Sequence, residues 1–217
     1  MDLEEVWRLR EEEVYPELFG PVGRGIFPLT TELFSQQFKQ SEVDPRWLFL
    51  GVFEFPPTAG RPFWLYVTSG WSNPWEDEPE AYDPAGESGS GVEFSFAVSE
   101  QGDWAITTLQ SMLAFDVLLT AGRFGDRRPL AVGDRIPLGG PLDGDAECPI
   151  RHLVVAEPEA IPSQFGLPSG EVRLLGFTGA TDPEIKFAKE NSSALLIDRL
   201  RAVGGHPVTD PRRTNLI

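Results

Sequence analysis

An α+β fold, with a mostly antiparallel or mixed sheet and a few packed helices, is what this sequence predicts. Three observations lead there. Glycine and proline number 22 and 20 of 217 residues, enough punctuation for many turns and short strands. Several apolar runs of strand length are bounded by those breakers. A few segments instead repeat apolar residues at helical spacing and are interspersed among the strands.

The first of these helical segments covers residues 2–15. Asp2 is placed to cap it and Glu5 stands three residues on, as in a capping box. Leu3, Val6, Leu9 and Arg10 follow the helical spacing, and Pro16 is expected to end the segment. Residues 20–31 read as a loop whose glycines lack the Gly-Lys-Ser/Thr ending of a phosphate loop. Trp47 to Phe55 is nearly continuous apolar and aromatic sequence between Pro45 and Pro56-Pro57, which predicts a buried strand. Arg61 to Ser69 is its antiparallel partner across the Pro-Pro-Thr-Ala-Gly turn.

Trp71 and Trp75 flank Asn73-Pro74 and lead into an acidic stretch, Glu76, Asp77, Glu78, Glu80, Asp83 and Glu87, that contains no basic residue. A long exposed loop is expected there, ending in Gly-Glu-Ser-Gly-Ser-Gly. Val92 to Val98 alternates as a half-buried strand does. Asp103 is read as the cap of a helix reaching about Arg123, with Ala105, Leu109, Met112 and Leu113 on one face and Gly122 or Gly125 behind it. Arg151 to Ala156 and Glu171 to Thr178 read as strands. Asp182-Pro183-Glu184 opens a helix whose apolar face is Leu195, Leu196, Leu200 and Val203, stopped at Gly204-Gly205. Val208-Thr209 is a short last strand.

Charge is the least evenly spread property. The net charge is −16, and residues 1–100 hold nineteen Asp or Glu against six Lys or Arg, whereas 101–217 hold fifteen against twelve. Such a field repels nucleic acid and anionic membrane and draws cationic partners. Twenty-four aromatic residues argue for a sizeable core and against a disordered acidic chain. The start Met-Asp-Leu-Glu-Glu has neither a basic region nor an apolar run, and no stretch reaches bilayer length, so a soluble cytoplasmic protein is expected. With 15 Arg and only three Lys (Lys39, Lys186, Lys189), the composition suggests a GC-rich bacterial genome.

No catalytic constellation stands beside the charge. The one cysteine, Cys148, excludes an internal disulfide and reads as a small packed apolar residue. His152 lies within an apolar strand and His206 in a turn, without metal-ligand spacing. There is no Gly-x-Ser-x-Gly elbow, dinucleotide fingerprint or His-Glu-x-x-His, so no cofactor or metal is expected. Carboxylates are too numerous for any chosen pair to be specific. Trp71 and Trp75 read either as aromatics pinning the loop base to the core or as interface anchors.

The order of these elements resembles the suppressor of fused family. The residues that carry it are Trp47–Phe55, Pro62 to Gly70-Trp71, the strand Gly91-Val92-Glu93-Phe94-Ser95-Phe96, and the helix from Trp104 with Leu113–Leu119. They continue with Gly133-Asp134, Pro141-Leu142-Asp143, Ile150-Arg151-His152-Leu153, Phe165-Gly166 with Val172–Phe177, and Val208-Thr209-Asp210-Pro211-Arg212-Arg213. The likeness divides the chain into an N-terminal helical segment packed on the domain (1–44), the suppressor-of-fused-like domain (45–213) and a tail (214–217). It implies a protein-binding domain without catalysis. The family's eukaryotic regulator adds a second, C-terminal domain that helps clamp a transcription factor, and this chain is expected to hold the first domain alone. Bacterial single-domain members look like immunity proteins of polymorphic toxin systems, so the implied partner is a toxin, basic and of nuclease type. Glu76, Asp77, Glu78, Glu80 and Asp83 are then the expected steering charges, with Trp71 and Trp75 as anchors. Asp210, Arg212 and Arg213 form the matching C-terminal signature, expected to close the domain through an ion pair. The competing reading is a general regulatory interaction module with no toxin partner, and a carboxylate-dependent enzyme stands behind both.

Overall fold

A computed structural model describes residues 2–217. Asp2 and Glu5 form the reciprocal capping box that starts helix α1 (Leu3–Leu9). The helix does not end at Pro16. A wider π turn (Arg10–Val14) leads without a break into α2 (Tyr15–Phe19), and Pro16, which has no N–H to donate to the preceding turn, falls directly after that widened turn. Gly20, at φ +86°, stops the helix instead. Strand β1 (Ile26–Pro28) and helix α3 (Thr31–Phe38, capped by Thr30) follow in sequence that carries little periodicity.

The strand expected from Trp47 begins only at Gly51. Pro45–Phe49 is a 3-10 turn, because Asp44 Oδ1 accepts the Arg46 N–H and Pro45 fits the first helical turn. Strands β2 (Gly51–Phe55) and β3 (Trp64–Ser69) then pair as the expected antiparallel hairpin. Strand β4 (Glu87–Val98) precedes α4 (Asp103–Thr120), whose cap position is Gly102; Asp103 sits in the first turn and pairs with Arg24. Strands β5 (Arg135–Pro137), β6 (Ile150–Ala156), β7 (Gln164–Leu167) and β8 (Gly170–Thr181) complete the sheet. The expected C-terminal helix is two helices, α5 (Asp182–Glu190) and α6 (Ser193–Ala202). Thr181, not Asp182, caps α5, in a box with Glu184. Leu195 and Val203 are exposed, and Leu196, Ile197 and Leu200 carry the apolar face of α6. Val208-Thr209 contributes a single parallel bridge from Thr209 to Val98.

Among the described residues the strands form one sheet in the order β1-β2-β3-β4-β8-β6-β5, with β7 hairpinned onto β8. Every pairing is antiparallel except β4–β8, so the sheet is mixed as expected. Period-two alternation sorts the side chains onto two faces. Val52, Tyr66, Phe94, Phe96, Leu175 and Phe177 meet α4 on one face. Phe53, Phe55, Leu65, Val67 and Leu174 meet Val6, Tyr15 and Phe19 on the other, while Val154, Ala156 and Ala180 meet α5 and α6. Helix α4 is buried around most of its circumference, since α3 and the turn-rich residues 124–142 cover its outer side. Cys148 is buried among these apolar residues, as expected.

Candidate functional site

The turn after β3 is built on two fully buried charges. Glu93 projects from β4 toward the face opposite Phe94 and Phe96 and is closed off from solvent. Its carboxylate accepts from the backbone N–H of Gly70 (3.0 Å) and Ser72 (2.9 Å), from Ser72 Oγ (2.7 Å) and from Thr68 Oγ1 (2.5 Å). Arg10, in the π turn, reaches the same place from the helical side. It donates to Ser69 Oγ (3.0 Å), Ser72 Oγ (3.2 Å) and Asn73 Oδ1 (2.6 Å). Ser72 thus bridges a buried guanidinium and a buried carboxylate, and burial of either charge is tolerable only because these bonds are made. Gly70 takes φ +109°, and a Cβ at Gly89 would stand 2.3 Å from the Asn73 carbonyl oxygen, so both positions need glycine for the loop to pack against β4.

What this network holds up is a groove of about 600 Å³. Its walls are the 3-10 turn (Arg46, Trp47), residues 71–77, the Gly89-Ser90 stretch of β4 and the C-terminal end of α4. The Trp71 indole N–H donates to Asp116 Oδ2 of α4 (3.0 Å), and Asp116 also accepts from the Leu130 N–H (2.6 Å). Burial pushes the Asp116 carboxyl above its ordinary value. Trp75 packs on Phe49, with ring centroids 6.0 Å apart, and Phe49 on Trp7 at 5.9 Å. The Nε1 of Trp75 and the Nδ2 of Asn73 are buried and have no hydrogen-bond acceptor among the described residues.

Of the residues singled out by sequence, Trp71, Trp75, Glu76 and Asp77 line this groove. Glu78, Glu80 and Asp83 do not; they lie on the exposed loop beyond it. Asp83 has a local task, since its Oδ1 accepts the Ala85 N–H and its carbonyl the Gly86 N–H. Tyr82 fastens the loop to the apolar cluster under α2. The acidic run is also not wholly without a basic partner, because Arg46 bonds Glu76 from another segment. Sequence reasoning missed Asp44, Arg46 and Trp47 as groove residues, and Arg10 and Glu93 as its supports. Arg10 did leave a signal, a charge inside the apolar stripe of the first helix.

At the C-terminal end, Arg213 does close the domain, but its partner is Glu184 rather than Asp210. Two parallel bonds join them (2.7 and 2.8 Å), and Arg213 Nη2 also donates to the Gly179 carbonyl. Burial alone pushes the Glu184 carboxyl up; the bonds from Arg213 and the Thr181 N–H outweigh it and hold Glu184 below its ordinary value. Arg212 pairs with Glu100 and Asp210 on the surface. His152 Nε2 lies 2.7 Å from Asp182, and His206 is buried against Thr178. Among the described residues no three His, Cys, Asp or Glu are grouped to hold a metal, and no helix is long and apolar enough to cross a membrane.

The fold and the site together define an α+β domain with one mixed sheet, helices on both faces and an aromatic groove with an acidic rim. The chain belongs to the suppressor of fused family, whose model matches residues 47–214. Among solved structures it is similar to Drosophila Suppressor of Fused (22% identity, TM-score 0.59, 77% of this chain), of whose length it spans 42%. It is also similar to a chain of the Sufu–Fu complex (20%, TM-score 0.66, 98% of this chain and 91% of that one). A suppressor of fused homologue from Neisseria gonorrhoeae aligns over 97% of both chains (15%, TM-score 0.65). No curated protein sequence matches it.

Proposed function

We propose that this chain is a non-catalytic protein-binding domain that acts as a bacterial immunity protein, holding a basic toxin, of nuclease type, through the groove beside Trp71 and Trp75. One observation carries the reading. The groove sets tryptophans next to Glu76 and Asp77 in the acidic half of the chain, which is the combination of apolar anchor and charge complementarity that protein interfaces use. Family membership supports it, since a relative of this fold is found in a complex with Fu. Blocking needs no chemistry from the immunity protein, only coverage of the toxin's basic substrate-binding face. Acidic side chains there compete directly with a nucleic-acid phosphate backbone.

The test is co-expression with the product of the gene encoded immediately upstream. That product alone should arrest growth of a bacterial host, and this chain should restore growth and co-purify with it. A W75F variant or an E76Q/D77N pair should weaken the complex by about tenfold or more. A neighbouring product that is harmless, or that does not bind, would leave the general interaction module as the better reading.

A further inference from the structure

Among the described residues Arg46 is the one cation on the groove wall, and it is already held. Its Nε and Nη2 donate to Asp44 (3.1 and 2.8 Å), and Nη1 donates to Glu76 from the far side. Two carboxylates from separate segments therefore close on one planar guanidinium, which shows that the groove geometry fits such a group. Arg46 itself is largely exposed, so these pairs contribute little to the fold and exchange readily. Asp77 lines the same groove and makes no ion pair among the described residues. Three carboxylates against one guanidinium leave room for a second cation.

Two further features point to a ligand with a main chain. Asn73 is only 1% exposed and lines the groove, and among the described residues its Nδ2 has no acceptor; the Trp75 Nε1 is buried and equally unpartnered there. A buried N–H without an acceptor is costly, and an extended segment brings carbonyl oxygens along with its side chains. Trp47, Trp71 and Trp75 supply indoles, on which a guanidinium stacks better than an ammonium does.

We propose that the groove receives an arginine side chain from an extended segment of the partner protein, and that Arg46 holds the guanidinium place on the Asp44–Glu76 fork until it arrives. The proposal rests on the groove being the partner surface and adds the chemistry it selects. Binding exchanges one guanidinium for another on the fork, so the gain comes from stacking, from the spare charge of Asp77 and from the two satisfied N–H donors.

The full chain is titrated with a capped Gly-Ser-Arg-Ser-Gly peptide and its lysine counterpart, reading the indole N–H signals of Trp71 and Trp75 by NMR. The arginine peptide should shift them saturably and bind about fivefold or more tighter than the lysine peptide. R46A vacates the fork and should tighten the arginine peptide about threefold or more, whereas D77N should loosen it. Both residues are exposed, and thermal unfolding checks that the fold is kept. Equal binding of the two peptides that disappears at about 0.5 M salt would reduce the effect to general electrostatics and overturn the proposal. So would unchanged or weaker binding in R46A, or a dimer that R46A or D77N dissolves, which would put a second copy of the chain in the groove. Peptide binding without any toxin partner would keep the groove chemistry and sink the immunity reading. Partner binding indifferent to R46A and D77N would do the reverse.

Discussion

Two arginines with buried side chains, Arg10 in the π turn and Arg213 near the C-terminus, serve different parts of this molecule, and their surroundings differ. Arg213 meets Glu184 directly through two parallel bonds, and the same carboxylate takes the N–H groups of Thr181 and Leu216. Arg10 never touches Glu93; serine hydroxyls stand between them, its Nη2 lies 3.5 Å from Glu11 Oε1, and in the turn it braces Asn73 Nδ2 and Trp75 Nε1 have no hydrogen-bond acceptor among the described residues. In the first cluster the Arg213 Nε is likewise without an acceptor among the described residues, but neither Arg213 nor Glu184 lines the groove, and the pair does architecture. The second is left open toward a groove, and a polar network left partly unmatched at a surface depression is where a ligand adds most.

Single substitutions should separate the two. R213M strands the buried Glu184 charge and should cost about 3–5 kcal/mol in chemical denaturation, with much of that recovered in R213M/E184M, because a buried pair is replaceable by packed apolar groups. Partner and peptide binding should be untouched in either variant. R10M should cost about 3 kcal/mol by the same reasoning, but here binding should fall as well, since residues 69–75 lose the anchor that shapes the groove. If R10M bound normally, the support role assigned to Arg10 would be wrong.

Acid should act on the two regions in opposite directions. Glu184 is held below its ordinary value, so its contribution is present above that value and lost as pH falls through its folded-state pKa. Asp116, beneath Trp71, is held above its ordinary value by burial, so its contribution is present in acid and lost as pH rises through its folded-state pKa. The stability gap between the wild type and E184Q should therefore shrink between pH 7 and pH 3, while the gap to D116N moves in favour of the wild type. Parallel gaps on urea titration at several pH values would contradict the assignment of these two groups.

Much of the fold was legible because it rests on local signals: the capping box at Asp2, the hairpin turn at Pro56-Pro57, the period-two run Val92–Val98. The mixed sheet followed from them. What could not be read depends on tertiary contacts. Strands β1, β5 and β7 are three or four residues long and gain their identity from the neighbour they pair with. Pro45–Phe49 carries aromatic residues suited to a strand, yet Asp44 and Pro45 start a helical turn there. At the site, Trp71, Trp75, Glu76 and Asp77 were visible as a run, but Arg46 and Asp44 come from thirty residues earlier. No spacing rule connects them.

The smallest expected effect concerns the charges outside the groove. Glu78 and Glu80 are exposed, make no ion pair among the described residues, and stand on a loop held in place by Tyr82. Charges of this kind act on approach rather than on the final contact, because solvent and salt screen them once the partners meet. E78Q/E80Q should therefore slow association a few-fold at low salt, with the difference gone at about 0.5 M salt and the dissociation rate unchanged. E76Q/D77N, whose side chains line the groove, should instead raise the dissociation rate. Asp83 belongs in neither set, since removing its acceptor, as in D83A, would disturb the turn it caps. Stopped-flow mixing with the proposed basic partner distinguishes these outcomes. A dissociation rate that rises equally in both double variants would mean the loop and the groove form one continuous contact surface, and the division between steering and holding would fall.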